Sequence, residues 1–139
     1  MHEIDTDYLI VGAGALGLSF ADSLLEHGDG HITFVDQHPK PGGHWNVAYP
    51  FVTLHQPSAT YGLNSMSLSD DLMDTDGPNK GFYKLATGTQ VLGYFEQAMQ
   101  QRFIPSGRVS YYPMSKYQEG AGGEHNIVSS ISVKKTRVN

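Results

Sequence analysis

Two short apolar runs with an amphipathic segment between them form the clearest hydrophobic pattern in this chain. Tyr8 to Val11 is a fully apolar run, typical of a central strand in a parallel sheet, and His31 to Val35 is the second predicted strand. Between these runs, apolar residues recur at helical spacing from Leu16 to His27, and Gly28 and Gly30 end the predicted helix. Its predicted inner face consists of Leu16, Phe20, Ala21, Leu24 and Leu25. The pattern therefore predicts a β-α-β unit, with the right-handed crossover that such units adopt.

The middle of the chain predicts a long loop followed by a second helix. Residues 39–80 are rich in Gly, Pro, Ser and Asp and have little periodicity, so we expect a loop that covers a ligand. A helix is predicted from Thr89 to Phe103, with Thr87 or Thr89 as its cap. Its apolar positions at helical spacing are Val91, Phe95, Ala98, Met99 and Phe103.

The last part of the chain predicts strands. The segment from Arg108 to Pro113 favours a strand, and residues 120–123 read as a flexible glycine-rich loop. Alternation of Ile127, Ser129, Ile131 and Val133 predicts one half-buried antiparallel strand, and we expect the chain to stop there without a turn or partner. The fold class predicted from all these elements is α/β, a Rossmann-like parallel sheet with flanking helices and antiparallel strand material at the C-terminal end. We expect residues 1–139 to form a single domain.

A glycine motif lies between the first predicted strand and the first predicted helix. The segment reads Gly12-Ala13-Gly14-Ala15-Leu16-Gly17, and Asp36 ends the second predicted strand about 20 residues further on, as in dinucleotide-binding β-α-β units. In such units the glycines allow the tight turn and a close approach to pyrophosphate, whose charge the helix N-terminus stabilises. Asp36 would accept hydrogen bonds from an adenosine ribose and repel a 2′-phosphate, which favours FAD or NAD over NADP. A glycine-rich turn in an unrelated α/β protein is the alternative.

A second glycine segment follows Asp36 and indicates a flavin. After the five residues from Gln37 to Pro41 the chain reads Gly42-Gly43-His44-Trp45. With the first motif, this spacing resembles the N-terminal FAD-binding region of flavin-containing and Baeyer-Villiger-type monooxygenases. The resemblance implies an FAD-binding fold, with reduction by a nicotinamide cofactor and oxygenation of a small organic substrate in the intact family. From the two glycine segments and this resemblance together, the expected cofactor-binding residues are Gly12, Gly14, Ala15, Gly17, Asp36, Gly42, Gly43, His44 and Trp45.

The length of 139 residues is short for a complete enzyme of that kind. We therefore expect an N-terminal fragment, a truncated product or a reused remnant, and the enzyme assignment stays open. The leading hypothesis is an FAD-dependent oxidoreductase of monooxygenase-like type, or its FAD-binding portion, that acts on a small organic substrate. The alternatives are a non-catalytic dinucleotide-binding module and a cofactor-free isomerase or cyclase. A homodimer, or a partner that completes the flavin site, is expected from the sheet edge that a missing half would leave open.

Composition and the remaining polar residues exclude several other functions. A net charge of −5 gives no basic surface for nucleic acid or an anionic membrane, and the absence of cysteine excludes disulfide redox chemistry. No signal peptide or membrane-spanning run is present, so a cytoplasmic protein is expected. We expect no metal, because glycines separate His27 from His31 and the carboxylates of residues 70–76 lack the calcium-loop spacing. His44 and His55 are candidate hydrogen-bond donors to a flavin, Trp45 is expected to pack beneath it, and no catalytic acid or base is identified.

Overall fold

A buried strand flanked by two parallel neighbours forms the centre of the fold. The computed structural model describes residues 1–56, 58, 61–68 and 72–139. After a short strand β1 (His2–Ile4), strands β2 (Tyr8–Val11) and β3 (Ile32–Val35) run parallel, with Ile10 beside Phe34. A later strand, named β6 below (Val109–Tyr112), pairs in parallel with the other edge of β3. The predicted Rossmann-like parallel sheet is therefore confirmed.

The position of β2 in this sheet differs from the expectation. All four residues of β3 are buried, whereas Tyr8 and Val11 at the ends of β2 are exposed. The reason is the strand order β2-β3-β6, which leaves β2 at an edge of the three-stranded sheet. The prediction of a central position for β2 is therefore wrong, and the central strand is β3.

Helix α1 (Ala15–His27) follows β2, and its inner face is rotated from the predicted one. Leu18, Ala21 and Asp22 are buried, but Leu16 is 89% and Phe20 51% exposed. The close approach of Gly17 to the preceding turn determines which side of the helix meets the sheet. Hydrophobic spacing alone identified the helix correctly and its inner face only in part.

The segment after β3 is not a featureless loop. It contains a 3₁₀ helix at Gly43–Val47 and a short hairpin formed by β4 (Gly62–Leu63) and β5 (Met66–Ser67). Asp22 on α1 accepts hydrogen bonds from the backbone and hydroxyl of Ser65 in the hairpin turn. The β4–β5 hairpin is therefore attached to the first helix.

Helix α2 (Gly88–Ala98) confirms the second predicted helix and one of its two predicted caps. The Thr87 hydroxyl accepts from the Gln90 backbone while the Gln90 side chain accepts from the Thr87 backbone, which is a capping box. The helix continues through a π-helical turn at Met99–Phe103 and a 3₁₀ turn at Ile104–Ser106. All five predicted apolar positions are buried, and the Phe103 ring stacks on Phe34 of β3 at a centroid distance of 6.3 Å.

A second sheet covers the other face of the parallel sheet. Strands β7 (Ser115–Glu119), β8 (His125–Ser129) and β9 (Lys135–Val138) pair antiparallel in sequence, and β1 adds to β9 in parallel. Val35, Ile127 and Val138 form the small core between the two sheets. Antiparallel strands at the C-terminal end are confirmed.

The details of the C-terminal prediction need correction. Ile127 is buried in β8, but Ile131 and Val133 are exposed in the turn that joins β8 to β9. The chain therefore makes a turn and finds two partner strands, so the expectation of an unpartnered end is wrong. The alternation of apolar and polar residues continues from β8 into the turn, so the sequence pattern does not show where the strand ends. The end of β8 at Ser129 depends on its pairing with the neighbouring strands. None of the helices in the described part of the chain has the length and apolarity needed to cross a membrane.

Candidate functional site

An open groove lies where β2 and β3 end and α1 begins. Its volume is about 920 Å³, and Val11 and Val35, the last residues of the two strands, lie in its wall. Ligands in open parallel sheets bind at this position, beyond the carboxyl ends of the strands. The predicted site residues that line the groove are Gly12, Gly14, Ala15, Gly17, Asp36, Gly43 and His44.

The first glycine segment forms a turn that holds strand and helix close together. The Gly12 N–H donates to the Val35 carbonyl at 2.8 Å, which attaches the turn to the neighbouring strand. A Cβ atom at Gly17 would lie 2.2 Å from the Gly12 carbonyl oxygen and 3.1 Å from the Ile10 side chain. The third glycine of the motif is therefore required for helix packing in this chain.

The second glycine segment packs directly on the first. The Gly42 N–H donates to the Ala13 carbonyl at 2.8 Å, and a Cβ at Gly43 would lie 3.1 Å from the Gly14 Cα. The two backbones therefore meet without side chains between them. This contact makes one wall of the groove from two segments about 30 residues apart in sequence.

Two predicted site residues lie beneath this wall and do not line the groove. Gly42 is buried against Leu92 of α2, and Trp45 is 8% exposed with its ring close to Gly88. The indole N–H of Trp45 has no hydrogen-bond partner among the described residues. Trp45 is thus a packing residue here, while its exposed neighbour His44 reaches the groove.

The start of α1 gives the groove a partial positive charge. Gly14 is the N-cap residue, no side chain caps the helix, and its first turn carries no acidic residue. The first N–H groups of a helix have no partner within it, and the helix dipole places about half a positive charge at this end. Ala15 and Gly17 from this turn line the groove, so the site is suited to an anion such as a phosphate.

Asp36 lines the groove beside the glycine turn and is 5% exposed. Its Oδ2 accepts from the Ala13 N–H at 2.6 Å, and its Oδ1 accepts from the His38 backbone N–H at 2.7 Å. The His38 ring nitrogen Nδ1 lies 3.0 Å from the same Oδ1. The carboxylate therefore holds the glycine turn and orients the next residues, in addition to facing the groove.

Residues from β7 complete the groove, and sequence reasoning missed them. Ser115, Lys116 and Tyr117 line it together with Gln37 and His38. The Ser115 N–H donates to the Asp36 carbonyl at 2.9 Å, which places the start of β7 beside the end of β3. No local motif marks residues 115–117, because only the return of the chain brings them here. His38 could have been found from its position two residues after Asp36.

A buried tyrosine lies near Asp36 from the side of β6. The Tyr111 hydroxyl is buried and has no hydrogen-bond partner within the described part of the chain. Burial raises the pKa of Tyr111, and the nearby carboxylates of Asp36 and Glu96 raise it further. The phenol therefore remains a neutral hydrogen-bond donor at physiological pH.

The other candidate residues are not part of this site. His55 is exposed and does not line the groove. Over residues 1–56, 58, 61–68 and 72–139, no group of three or more His, Cys, Asp or Glu side chains could hold a metal ion. Asp70 and Asp71 of the predicted acidic turn lie outside the described residues.

A family model and curated relatives match the sequence of this chain. Residues 10–74 match the family model described as an NAD(P)-binding Rossmann-like domain. An uncharacterized protein of Mycobacterium tuberculosis is 47% identical over 114 residues, which is 82% of this chain and 21% of that protein. The chain thus spans about a fifth of the length of the curated relatives that it matches.

Solved structures share the fold over nearly the whole chain. A flavin-containing monooxygenase from Stenotrophomonas maltophilia superposes with a TM-score of 0.67 at 19% identity, over 99% of this chain and 37% of that one. A cyclohexanone-bound cyclohexanone monooxygenase gives 0.61 at 17% identity, over 98% of this chain and 26% of that one. The bacillithiol disulfide reductase of Staphylococcus aureus gives 0.64 at 12% identity, over 99% and 36%. The chain therefore has the Rossmann-like fold that flavin monooxygenases and related FAD/NAD(P)-binding oxidoreductases share.

Proposed function

We propose that the groove binds the adenosine diphosphate part of FAD, with NAD as the alternative ligand. On this proposal the chain is the dinucleotide-binding part of an FAD-dependent oxidoreductase of monooxygenase-like type that acts on a small organic substrate. The observation that carries the proposal is that a helix N-terminus without a side-chain cap and a buried carboxylate line the same groove. A dinucleotide has both complementary groups, a pyrophosphate and a ribose.

The pyrophosphate fits the wall formed by the two glycine segments. Side chains are absent where Gly14 and Gly43 meet, so a phosphate can approach the backbone and the first N–H groups of α1. Since anion binding here uses backbone dipoles, the absence of basic residues between Gly12 and Gly17 is no obstacle.

The adenosine fits the part of the groove that Asp36, His38 and the start of β7 line. Asp36 and His38 would contact the ribose, and the segment from Ser115 to Tyr117 would lie along the base. A carboxylate at this position disfavours a 2′-phosphate by charge repulsion, which supports FAD or NAD over NADP.

The redox part of the ligand would lie towards the 3₁₀ helix at Gly43–Val47. Val47 lines the groove and is 73% exposed, and beyond it the exposed rings of Tyr49 and Phe51 stack at a centroid distance of 5.5 Å. An exposed apolar surface of this kind suits an aromatic ring system such as isoalloxazine. When bound, a flavin supplies the hydride and oxygen chemistry, and the protein orients it and excludes water.

The first experiment is an absorbance and calorimetric titration of the purified chain with FAD and, separately, with NAD. Retention of FAD with a perturbed flavin spectrum supports the proposal, whereas NAD binding alone would replace FAD by NAD. Failure of the folded chain to bind either dinucleotide contradicts it.

The variant Gly14→Ala tests the pyrophosphate contact. A Cβ at Gly14 would meet its nearest atom, the Gly43 Cα, at 3.4 Å, so the fold accepts the methyl group while the groove loses space at the phosphate position. We expect the affinity for FAD to fall by about tenfold or more, equivalent to at least about 1.4 kcal/mol. Gly93→Ala is the matched control, because a Cβ there has no neighbour within 4 Å and Gly93 lies outside the groove lining. Equal affinities of the two variants for FAD would contradict the assignment.

A further inference from the structure

The carboxylate of Asp36 has little hydrogen-bonding capacity left for a ligand. A carboxylate has about four acceptor positions. Three donors already face Asp36, namely the backbone N–H groups of Ala13 and His38 and the His38 ring nitrogen Nδ1. Its side chain is 4% exposed. A ribose carries two hydroxyl groups, so Asp36 alone cannot accept from both.

His38 has the position to bind the second hydroxyl, and its ring nitrogen Nε2 has no hydrogen-bond partner among the described residues. Because a carboxylate only accepts hydrogen bonds, the Nδ1 that lies 3.0 Å from Asp36 carries the proton. This contact fixes the orientation of the ring and leaves Nε2 for another partner. The His38 side chain is 20% exposed, and the residue lines the groove beside Asp36.

We propose that His38 is a second ribose-recognition residue, whose Nε2 hydrogen-bonds one ribose hydroxyl while Asp36 accepts from the other. This inference rests on the proposed function, since it assumes that the groove binds an adenosine diphosphate group. A hydroxyl both donates and accepts, so the contact forms with a neutral or a protonated ring. Asp36 thus acts on the ribose both directly and by orienting His38.

Two substitutions separate direct contact from mere support of Asp36. In His38→Asn the side-chain amide can occupy the place of Nδ1 and still donate to Asp36, but it does not reach the position of Nε2. In His38→Gln the longer side chain can place its amide near the position of Nε2. If His38 contacts the ribose directly, His38→Gln should keep wild-type affinity and His38→Asn should lose affinity. If His38 only supports Asp36, His38→Asn should keep wild-type affinity.

The test is a calorimetric titration of the wild-type chain and both variants with ADP, 2′-deoxy-ADP and 3′-deoxy-ADP. ADP carries the ribose and phosphates common to FAD and NAD, so the result does not depend on the redox group. We expect His38→Asn to bind ADP about 5- to 10-fold more weakly than the wild type, the range for one hydrogen bond. We also expect it to lose discrimination against one deoxy analogue, while His38→Gln stays within about threefold of the wild type for ADP.

The same titrations of a control variant, His55→Gln, complete the test. His55→Gln changes an exposed histidine outside the groove and should leave all three affinities unchanged. Unchanged discrimination in His38→Asn, or equal losses for ADP and both deoxy analogues, overturns the inference while ADP binding still supports the proposed function. Failure of the folded wild-type chain to bind ADP overturns both.

Discussion

Gly17 shows how a single residue determines the geometry of the site. Its missing side chain allows α1 to approach the turn that carries Gly12, and so brings the helix N-terminus to the end of β2. This approach also determines that Leu18 and Ala21 face the core, while Leu16 stays exposed. A motif residue can therefore shape the groove through helix packing alone.

We predict that Gly17→Ala destabilises the fold. Its methyl carbon would overlap the Gly12 carbonyl oxygen, and backbone atoms can move away only by separating strand and helix. A loss of about 2 to 3 kcal/mol in the free energy of unfolding is expected, as for overpacked cores. Urea unfolding followed by circular dichroism measures it, with the exposed helical Gly93→Ala as a control that should be neutral or stabilising. An unchanged midpoint for Gly17→Ala would show that the helix has room to shift.

Asp22 is a second residue that stabilises parts of the fold beyond its own helix. Its buried carboxylate accepts from Arg102 Nε at 2.9 Å and from the backbone and hydroxyl of Ser65. We predict that Asp22→Ala costs about 2 to 4 kcal/mol, because three part-buried hydrogen bonds to one buried carboxylate are lost. Glu26→Ala removes the exposed partner of the same arginine and should cost at most about 1 kcal/mol. Similar losses in both variants, measured by urea unfolding, would contradict a special role for the buried carboxylate.

At the scale of elements, helix α2 holds the β4–β5 hairpin through one hydroxyl group. Tyr94 accepts from the Leu63 N–H at 2.7 Å and donates to the Met66 carbonyl oxygen. The segment that follows the site is therefore attached to both helices, by Tyr94 on α2 and by Asp22 on α1.

The tyrosines predict how stability depends on alkaline pH. Burial raises the pKa of Tyr94 above its ordinary value of 10.0, and the pKa of Tyr111 is also raised. The unfolded chain therefore loses these protons first, so the contribution of the two tyrosines to stability is constant below about pH 10 and falls as the pH rises further.

The variant Tyr94→Phe checks this dependence. We expect it to cost about 1 to 3 kcal/mol at neutral pH, because the Leu63 N–H loses its acceptor. We also expect a shallower loss of stability above pH 10, with the part due to Tyr111 retained. Thermal unfolding at several pH values measures both effects, and the exposed Tyr49→Phe serves as the control. An unchanged slope in Tyr94→Phe would exclude Tyr94 as the titrating group.

At the scale of the whole molecule, β2 is an edge strand of the parallel sheet and, among the described residues, pairs with β3 alone. The ring of Tyr8 on β2 meets the ring of Phe20 on α1 edge to face, and both side chains are exposed. Unpaired strand edges with apolar neighbours favour pairing with another strand. A second copy of this chain would satisfy the edge if the two β2 strands paired antiparallel about a two-fold axis.

We therefore predict that the isolated chain forms a homodimer, which sedimentation velocity would detect. Phe20→Lys should shift the equilibrium towards the monomer, since a charge beside the edge opposes pairing. Val133→Lys is the matched control, because Val133 is fully exposed in the β8–β9 turn, away from this edge. A monomer at all concentrations, or equal effects of the two substitutions, would contradict dimerisation through β2.

Local sequence determined the elements of this protein and the chemistry of its glycine motif. Helix α2 and its Thr87 cap, strand β3, and the turn from Gly12 to Gly17 depend on backbone preferences and on spacing within a few residues, which a sequence displays directly. The α/β class follows from the order of these elements, since strands that alternate with helices pair in parallel. The prediction of a dinucleotide site rests on the same short-range information.

Long-range packing settled the remaining features, because they depend on residues that are distant in sequence. The edge position of β2, the rotation of α1 and the turn that exposes Val133 all depend on which strands pair and how closely backbones approach. The contact between Gly14 and Gly43, and the arrival of Ser115 to Tyr117 at the groove, likewise arise only when the chain folds back. The sequence marks where a ligand can bind, and these tertiary contacts shape the surface that the ligand meets.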